Sequence, residues 1–141
     1  MSNKKTGNDF EQELCQYLFE RGYWVHNFAS KQSGQPADII AVKNYRSYLI
    51  DAKVCSSGEG LRFNRIEPNQ IESMTLWNER GNGVGWFACK LTDDMVYMIC
   101  LDRILEAKKE GRTSLPEKEI RANAVGLGVW AATCGHPYQR R

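Results

Sequence analysis

The chain has 141 residues, 42% of them hydrophobic and 26% charged, with a formal net charge of +2 at pH 7. This size and apolar content predict one globular domain with a single core, and so small a net charge does not by itself indicate a nucleic-acid-binding protein. No apolar run approaches the ~20 residues that span a bilayer, and the segment MSNKKTGNDF lacks the apolar stretch of a secretion signal. We therefore expect a cytoplasmic protein with no membrane partner.

Cysteine, histidine and glycine patterns argue against several kinds of site. The five cysteines are widely spaced and form no Cys-x-x-Cys motif, which predicts reduced thiols rather than disulfides or a zinc site. The two histidines lie in unrelated contexts, so a histidine-based metal site or catalytic triad is not expected. The glycine-rich segment 81–85 follows a predicted helix and precedes a predicted strand, the reverse of a phosphate-binding loop. No small-molecule cofactor is expected.

The N-terminal region predicts a flexible basic tail over residues 1–7 and then a helix. Thr6 or Asn8 is the candidate N-cap, apolar residues recur with helical spacing from Phe10 onward, and Gly22 follows the helix end. Glu11 lies at the margin of the apolar stripe, so the helix alone predicts a surface carboxylate. Residues 23–28 predict a strand, and the polar loop 29–36 fits substrate contact and an inert connector equally well.

The segment PADIIAVKNYRSYLIDAK, residues 36–53, predicts a β-hairpin. Two short β-branched runs flank a polar turn that centres on Asn44 and Tyr45, so that opposed residues have numbers summing to 89. In this register Asp38 opposes Asp51, and Lys53 projects from the same face. Like charges placed so close are destabilising, and the apolar neighbours of both aspartates make isolated charges costly. A divalent cation between the two carboxylates is the commonest reason for such a pair.

The rest of the chain predicts alternating helices and strands. Residues 61–66 lead into a helix that begins at Pro68 and ends before Gly81. Strands over 84–91 and 95–100 form a second hairpin, and the further segments are a helix over 103–110, a helical piece over 117–121 and a strand over 125–130. This order predicts one mixed α+β (α/β) domain over residues 8–134, with a central mixed sheet flanked by helices, and a C-terminal tail over 135–141.

Basic residues gather around the acidic pair. Between positions 31 and 65 six basic residues accompany three acidic ones, so a cation that neutralised Asp38 and Asp51 would leave this region distinctly positive. Candidate phosphate contacts are Lys31, Arg62, Arg65, Lys4 and Lys5, each of which also fits an ordinary solvated surface. The aromatic residues Phe63, Trp77 and Trp86 are expected in the core rather than as stacking platforms for bases.

These residues resemble the motifs of the PD-(D/E)xK nuclease superfamily. The first element is Pro36-Ala37-Asp38, with one inserted residue, and the second is Asp51-Ala52-Lys53, preceded by a helix that carries Glu11. Residues 10–14, Ala29-Ser30 and the run DIIAVKN…LIDAK are similar to archaeal-type Holliday junction resolvases. The segments RFNRIEPNQIESM and RTSLPEKEI, continuing to Trp130, are similar to the bacterial RecU resolvases. The likeness covers about residues 7–130 and implies a restriction-endonuclease-like core.

The resemblance implies a function and a set of site residues. The function is that of a Mg²⁺- or Mn²⁺-dependent endonuclease that hydrolyses phosphodiester bonds at four-way DNA junctions in recombination and repair, as a homodimer, in the cytoplasm of a cell or of a phage host. The implied catalytic residues are Glu11, Asp38, Asp51, Lys53, Ser30 and Gln70. The implied metal ligands are Glu11, Asp38, Asp51 and the carbonyl group of Ala52.

Two alternative functions stay open at this point. A nuclease of the same fold could act on linear or site-specific duplex DNA, with the same metal dependence. A non-catalytic DNA-binding module could keep the fold without the chemistry, although clustered carboxylates that face a polyanion do not favour binding alone.

Overall fold

A computed structural model describes residues 3–28 and 37–133 of the chain, with side chains from Thr6 onward in the first segment. It contains five α-helices, which are α1 (Asn3–Glu20), α2 (Pro68–Trp77), α3 (Leu101–Lys109), α4 (Glu117–Asn123) and α5 (Leu127–Thr133). It also contains eight strands, which are β1 (Trp24–Asn27), β2 (Ile39–Lys43), β3 (Arg46–Val54), β4 (Leu61–Arg62), β5 (Trp86–Lys90), β6 (Val96–Cys100), β7 (Ser114–Leu115) and β8 (Val125–Gly126). A 3-10 turn (Phe63–Arg65) precedes α2 and a π-helical turn (Asn78–Asn82) follows it.

Six of these strands form one mixed sheet, in the order β1-β2-β3-β5-β6-β8. Neighbouring strands are antiparallel except β3 and β5, which are parallel. The parallel pair requires a crossover, and the chain from β4 to α2 supplies it. The predicted single mixed α/β domain with a central mixed sheet is confirmed.

Helices cover both faces of the sheet. Apolar residues of α1 and α5 pack on one face, as shown by the buried cluster that contains Leu14, Trp86 and Trp130. Residues of α2, α3 and α4 pack on the other face, in a cluster with Phe87 and Leu49. Because side chains alternate along a strand, Asp51 and Lys53 point to the same face as Leu49, toward α2. In the described segments, no helix is long and apolar enough to span a membrane.

The hairpin of β2 and β3 has the predicted register. Ile39 pairs with Ile50 and Val42 with Ser47, so that paired numbers sum to 89. The two turn residues, Asn44 and Tyr45, have φ angles of 54° and 65°, which is the type I′ turn that suits the right-handed twist of hairpins. A two-residue turn therefore fixes which residues of β2 and β3 oppose each other.

The structure differs from the sequence-based predictions in the bounds of some elements and in one strand pair. Helix α1 begins at Asn3 rather than near Thr6 or Asn8, so residues 3–7 are helical and continue the first turn instead of forming a separate tail. The predicted strand over 125–130 is wrong beyond Gly126, because helix α5 begins at Leu127. Trp130 and Ala131 of this helix are both buried. The short pair of β4 and β7 was not predicted, since two-residue strands carry no periodic signal.

Replacement of Tyr45 by glycine should stabilise the fold. Tyr45 is fully exposed and has a left-handed backbone conformation, which costs a non-glycine residue roughly 1–2 kcal/mol. Asn-Gly is the favoured type I′ pair, so we expect Tyr45→Gly to raise the free energy of unfolding by about 0.5–1 kcal/mol in urea denaturation. Tyr45→Ala, which keeps the Cβ atom, should give no such gain. A glycine variant less stable than the alanine variant would show that the turn is not under this strain.

Candidate active site

Two aspartates meet where the β2–β3 ladder ends. Asp38 directly precedes β2, and its backbone N–H donates to the carbonyl oxygen of Ile50 at 3.2 Å. The Ala52 N–H donates to Oδ2 of Asp38 at 2.9 Å, so a side chain replaces a main-chain acceptor there. Asp51 lies within β3 and is fully buried, while Asp38 is 9% exposed. The structure thus brings the two predicted carboxylates together, although the regular ladder stops one residue before them.

Burial and proximity alter the protonation of Asp51. Desolvation is the largest cause, followed by the negative charge of Asp38, and together they raise the pKa of Asp51 to about 7. The neighbouring Lys53 acts in the opposite direction. The protein therefore holds a carboxyl group that ionises near neutral pH, next to a second carboxylate.

Lys53 and Gln70 complete the immediate surroundings of Asp51. The Lys53 Nζ lies 2.9 Å from Oδ2 of Asp51 and forms an ion pair with it. The Gln70 Nε2 donates to Oδ1 at 2.8 Å. Gln70 Oε1 accepts the Glu67 N–H at 3.1 Å, so the first turn of α2 fixes the amide with its NH₂ group toward Asp51.

Glu11 lies on α1, which packs on the face of the sheet opposite to that covered by α2. It is only 7% exposed, so the surface position suggested by the helix pattern alone is wrong. The charges of Glu11 and Asp38 both act on Cys15, after desolvation, to raise the pKa of that thiol to about 11. Glu11 and Asp38 therefore lie near the same cysteine of α1.

The donor set fits a hard divalent cation in part. Two facing carboxylates are oxygen ligands of the type that Mg²⁺ and Mn²⁺ prefer, and the buried Oδ2 of Asp51 has no donor among the described residues other than the ion-paired Lys53. Within residues 3–28 and 37–133, no three Asp, Glu, His or Cys side chains converge into a metal cluster. An ion at Asp38 and Asp51 would take its other ligands from carbonyl groups, water or a bound phosphate, since Mg²⁺ usually keeps several waters. A direct role of Glu11 or of the Ala52 carbonyl as a ligand stays a prediction.

The predicted phosphate contacts have different positions. Arg65 donates from Nη1 to the Val54 carbonyl at 2.8 Å, directly after the segment that carries Asp51 and Lys53. Arg62 forms an exposed ion pair with Glu59. Lys4 and Lys5 belong to the first turns of α1, where the structure describes the backbone alone, and both Ser30 and Lys31 lie outside the described residues.

Positive charge next to Asp51 also affects a thiol that the sequence did not single out. The pKa of Cys55 is lowered, chiefly by a hydrogen bond with Cys89, and the charges of Arg65 and Lys53 contribute. Cys89 pairs with Lys53 across β3 and β5, and both thiols are free. The sequence did not indicate this contact because the parallel pairing of β3 with β5 joins residues 36 positions apart, a link that no local pattern predicts.

The fold and the facing carboxylates define a nuclease-like domain of the PD-(D/E)xK type. The model of the archaeal Holliday junction resolvase family (Hjc) matches residues 2–131, and the chain therefore belongs to this family. The solved structure of Archaeoglobus fulgidus Hjc, described as a Holliday junction resolvase from an archaeal hyperthermophile, superposes with a TM-score of 0.67. It is 19% identical, and the match covers 89% of this chain and 99% of that chain. No curated protein matches the chain.

The metal-free protein should lose stability as the pH rises through the titration of Asp51. Its pKa is about 7 in the folded protein against an ordinary 3.8, so the folded state binds more protons between these values. The free energy of unfolding then falls as the pH rises from about 4 to about 7 and levels off above. We expect Asp51→Asn to flatten this dependence, measured by urea denaturation at pH 5 and pH 8 with EDTA.

The matched control for this measurement is Asp94→Asn, an exposed turn residue with φ of 68° that asparagine tolerates. It should keep the wild-type dependence on pH. If Asp51→Asn and wild type lost the same stability between pH 5 and pH 8, the raised pKa of Asp51 would be refuted.

Proposed function

We propose that this chain is a metal-dependent endonuclease that cuts DNA at four-way junctions. The observation that carries the proposal is the meeting of Asp38 and Asp51 beside Lys53, in a chain that belongs to the Holliday junction resolvase family. Two carboxylates held this close repel each other, and without an ion they also repel phosphate. The pair therefore favours a bound cation over DNA binding without chemistry.

Asp38 and Asp51 would hold the ion, which we propose to be Mg²⁺, with Mn²⁺ as a substitute. When bound, a divalent ion lowers the pKa of water and stabilises the charge that develops on phosphoryl oxygens. Gln70 restrains the Asp51 carboxylate through the hydrogen bond to Oδ1, so that Oδ2, the oxygen paired with the Lys53 ammonium at 2.9 Å, would face the ion. Burial of Asp51 keeps competing water away from this oxygen.

Lys53 would act on the phosphate and on the attacking water. Its side chain is 13% exposed and its Nζ lies 2.9 Å from Oδ2 of Asp51, so the pair is largely shielded from solvent. From this position Lys53 can neutralise phosphate charge and orient the water that attacks the phosphorus atom. Glu11 and Ser30 are proposed to support the same site, and Lys31, Lys4, Lys5, Arg62 and Arg65 are proposed as contacts to the DNA backbone.

We further propose that two copies act together. A four-way junction presents two opposed strands, and a two-fold symmetric dimer places one active site on each of them. Sedimentation of the full chain at micromolar concentration measures this directly, and a monomer that cuts both strands of one junction would contradict it.

Asp51→Asn should abolish junction cleavage and preserve junction binding. The substitution removes the charge that holds the ion but keeps the shape of the side chain, so we expect a loss of at least about a thousandfold in cleavage rate. The assay compares a labelled four-way junction with linear duplex of the same sequence, with and without Mg²⁺. Asp94→Asn is the control and should cut like wild type.

Each outcome of this assay decides among the functions considered. Cleavage of linear duplex at the rate of the junction would favour a nuclease without junction selectivity. Tight binding with no cleavage by wild type in Mg²⁺ or Mn²⁺ would favour a non-catalytic module. Equal cutting by wild type and Asp51→Asn would reject the assignment of the site.

Gln70→Ala should slow cleavage by roughly tenfold and raise the Mg²⁺ concentration that gives half-maximal rate. The loss of the hydrogen bond lets the Asp51 carboxylate rotate away from its productive orientation. The control is Glu72→Ala, an exposed residue of the same helix; Glu67 is unsuitable because its side chain caps the Gln70 backbone N–H. An unchanged Mg²⁺ requirement in Gln70→Ala would show that Asp51 is oriented by other contacts.

A further inference from the structure

Three aromatic side chains line one face of the edge strand β1 and the residue that follows it. Trp24, His26 and Phe28 alternate along the chain, and we call them the aromatic ladder. The rings of Trp24 and His26 are nearly parallel, at 13° with centroids 6.3 Å apart, and His26 meets Phe28 edge to face at 4.9 Å. The side chain of Trp24 is 63% exposed. Single exposed aromatics are common, but a contiguous series on an open face marks an interaction surface.

The register of the sheet places the aromatic ladder on the same face as the candidate active site. Trp24 pairs with Val42 and His26 with Ile40, so that paired numbers sum to 66. The same sum pairs Phe28 with Asp38, and the Phe28 N–H donates to the Asp38 carbonyl at 2.8 Å. Directly opposed residues project to one face. The ladder therefore ends beside Asp38, with Phe28 and Asp51 on opposite flanks of Asp38 along the sheet.

The length and chemistry of the ladder fit nucleic acid bases. Trp24 and Phe28 are four positions apart in extended chain, a distance of about 13 Å that is comparable with a few stacked bases. Base–aromatic stacking contributes roughly 1–3 kcal/mol per base and tolerates any sequence. A linear duplex covers the faces of its bases except at the ends, whereas base pairs that border a branch point can lose a stacking neighbour. Uncovered base faces are thus a feature that distinguishes a branched substrate.

We propose that the aromatic ladder stacks against uncovered bases of the DNA strand whose phosphate is bound at Asp38 and Asp51. The inference rests on the proposed function and adds a specificity-determining surface to it. A second copy of the chain is the rival occupant. It is disfavoured because any partner seated along the ladder as far as Phe28 would cover the approach to Asp38.

The test uses the full chain in the Asp51→Asn background and a four-way junction that carries 2-aminopurine next to the branch point. Stacking on an aromatic ring quenches this base, so binding should lower its fluorescence several-fold. Addition of Trp24→Ala should remove most of that quenching and weaken junction binding roughly tenfold, while affinity for linear duplex stays within twofold. Trp24→Phe should restore both readouts.

Phe19→Ala is the matched control. Phe19 is 66% exposed, like Trp24, but belongs to α1 on the opposite face of the sheet, so this variant should behave as the background protein. Both aromatic residues are surface-exposed, and thermal unfolding verifies that the variants fold.

The other possible results would overturn either the role of the aromatic ladder or the proposed junction selectivity. Unchanged quenching and junction affinity in Trp24→Ala would refute the ladder proposal and leave the proposed function intact. A changed sedimentation coefficient of Trp24→Ala without DNA would assign the ladder to an interface between copies and also overturn the proposal. Failure of the Asp51→Asn background itself to prefer junction over duplex would instead refute the proposed junction selectivity, and with it the inference built on it.

Discussion

The forced proximity of Asp38 and Asp51 is the constraint around which this structure is arranged. Hairpin register, the I′ turn at Asn44 and Tyr45, and the hydrogen bond from Ala52 to Asp38 all bring the two carboxylates together. Burial then makes the charged form of Asp51 expensive, which raises its pKa to about 7. Without a cation this arrangement destabilises the fold at neutral pH, and a bound divalent ion would convert the same repulsion into affinity.

The hairpin of β2 and β3 could be predicted from the sequence because the residues that specify it are close together in the chain. Two β-branched runs separated by a short polar turn specify both strands and their register, and the alternation of side chains then places Asp51 and Lys53 on one face. The mixed sheet followed from the order of elements. The position of α5 did not follow, because Leu127–Thr133 has strand-like residues such as Val129, and its helical form depends on packing of Trp130 against Tyr23, Tyr48 and Trp86.

Long-range contacts limited what the sequence could predict about the site. The hydrogen bond from Gln70 to Asp51 joins positions 19 apart, and only the resemblance to junction resolvases indicated that Gln70 belongs to the site. Glu11 lies in the sheet-facing layer although its helix pattern placed it at the margin, because α1 packs closely on the sheet. The aromatic ladder could be read as alternation in β1, but its placement beside Asp38 depends on the pairing of β1 with β2, and β1 alone does not define it.

The most direct test is a crystal structure of the wild-type protein grown with Mn²⁺ at pH 8, where Asp51 is ionised. We predict an anomalous peak within about 2.0–2.6 Å of an oxygen of Asp38 and an oxygen of Asp51, as for hard cations in proteins. Absence of a peak between these two side chains at millimolar Mn²⁺, or a peak bound by other residues alone, would contradict the central claim.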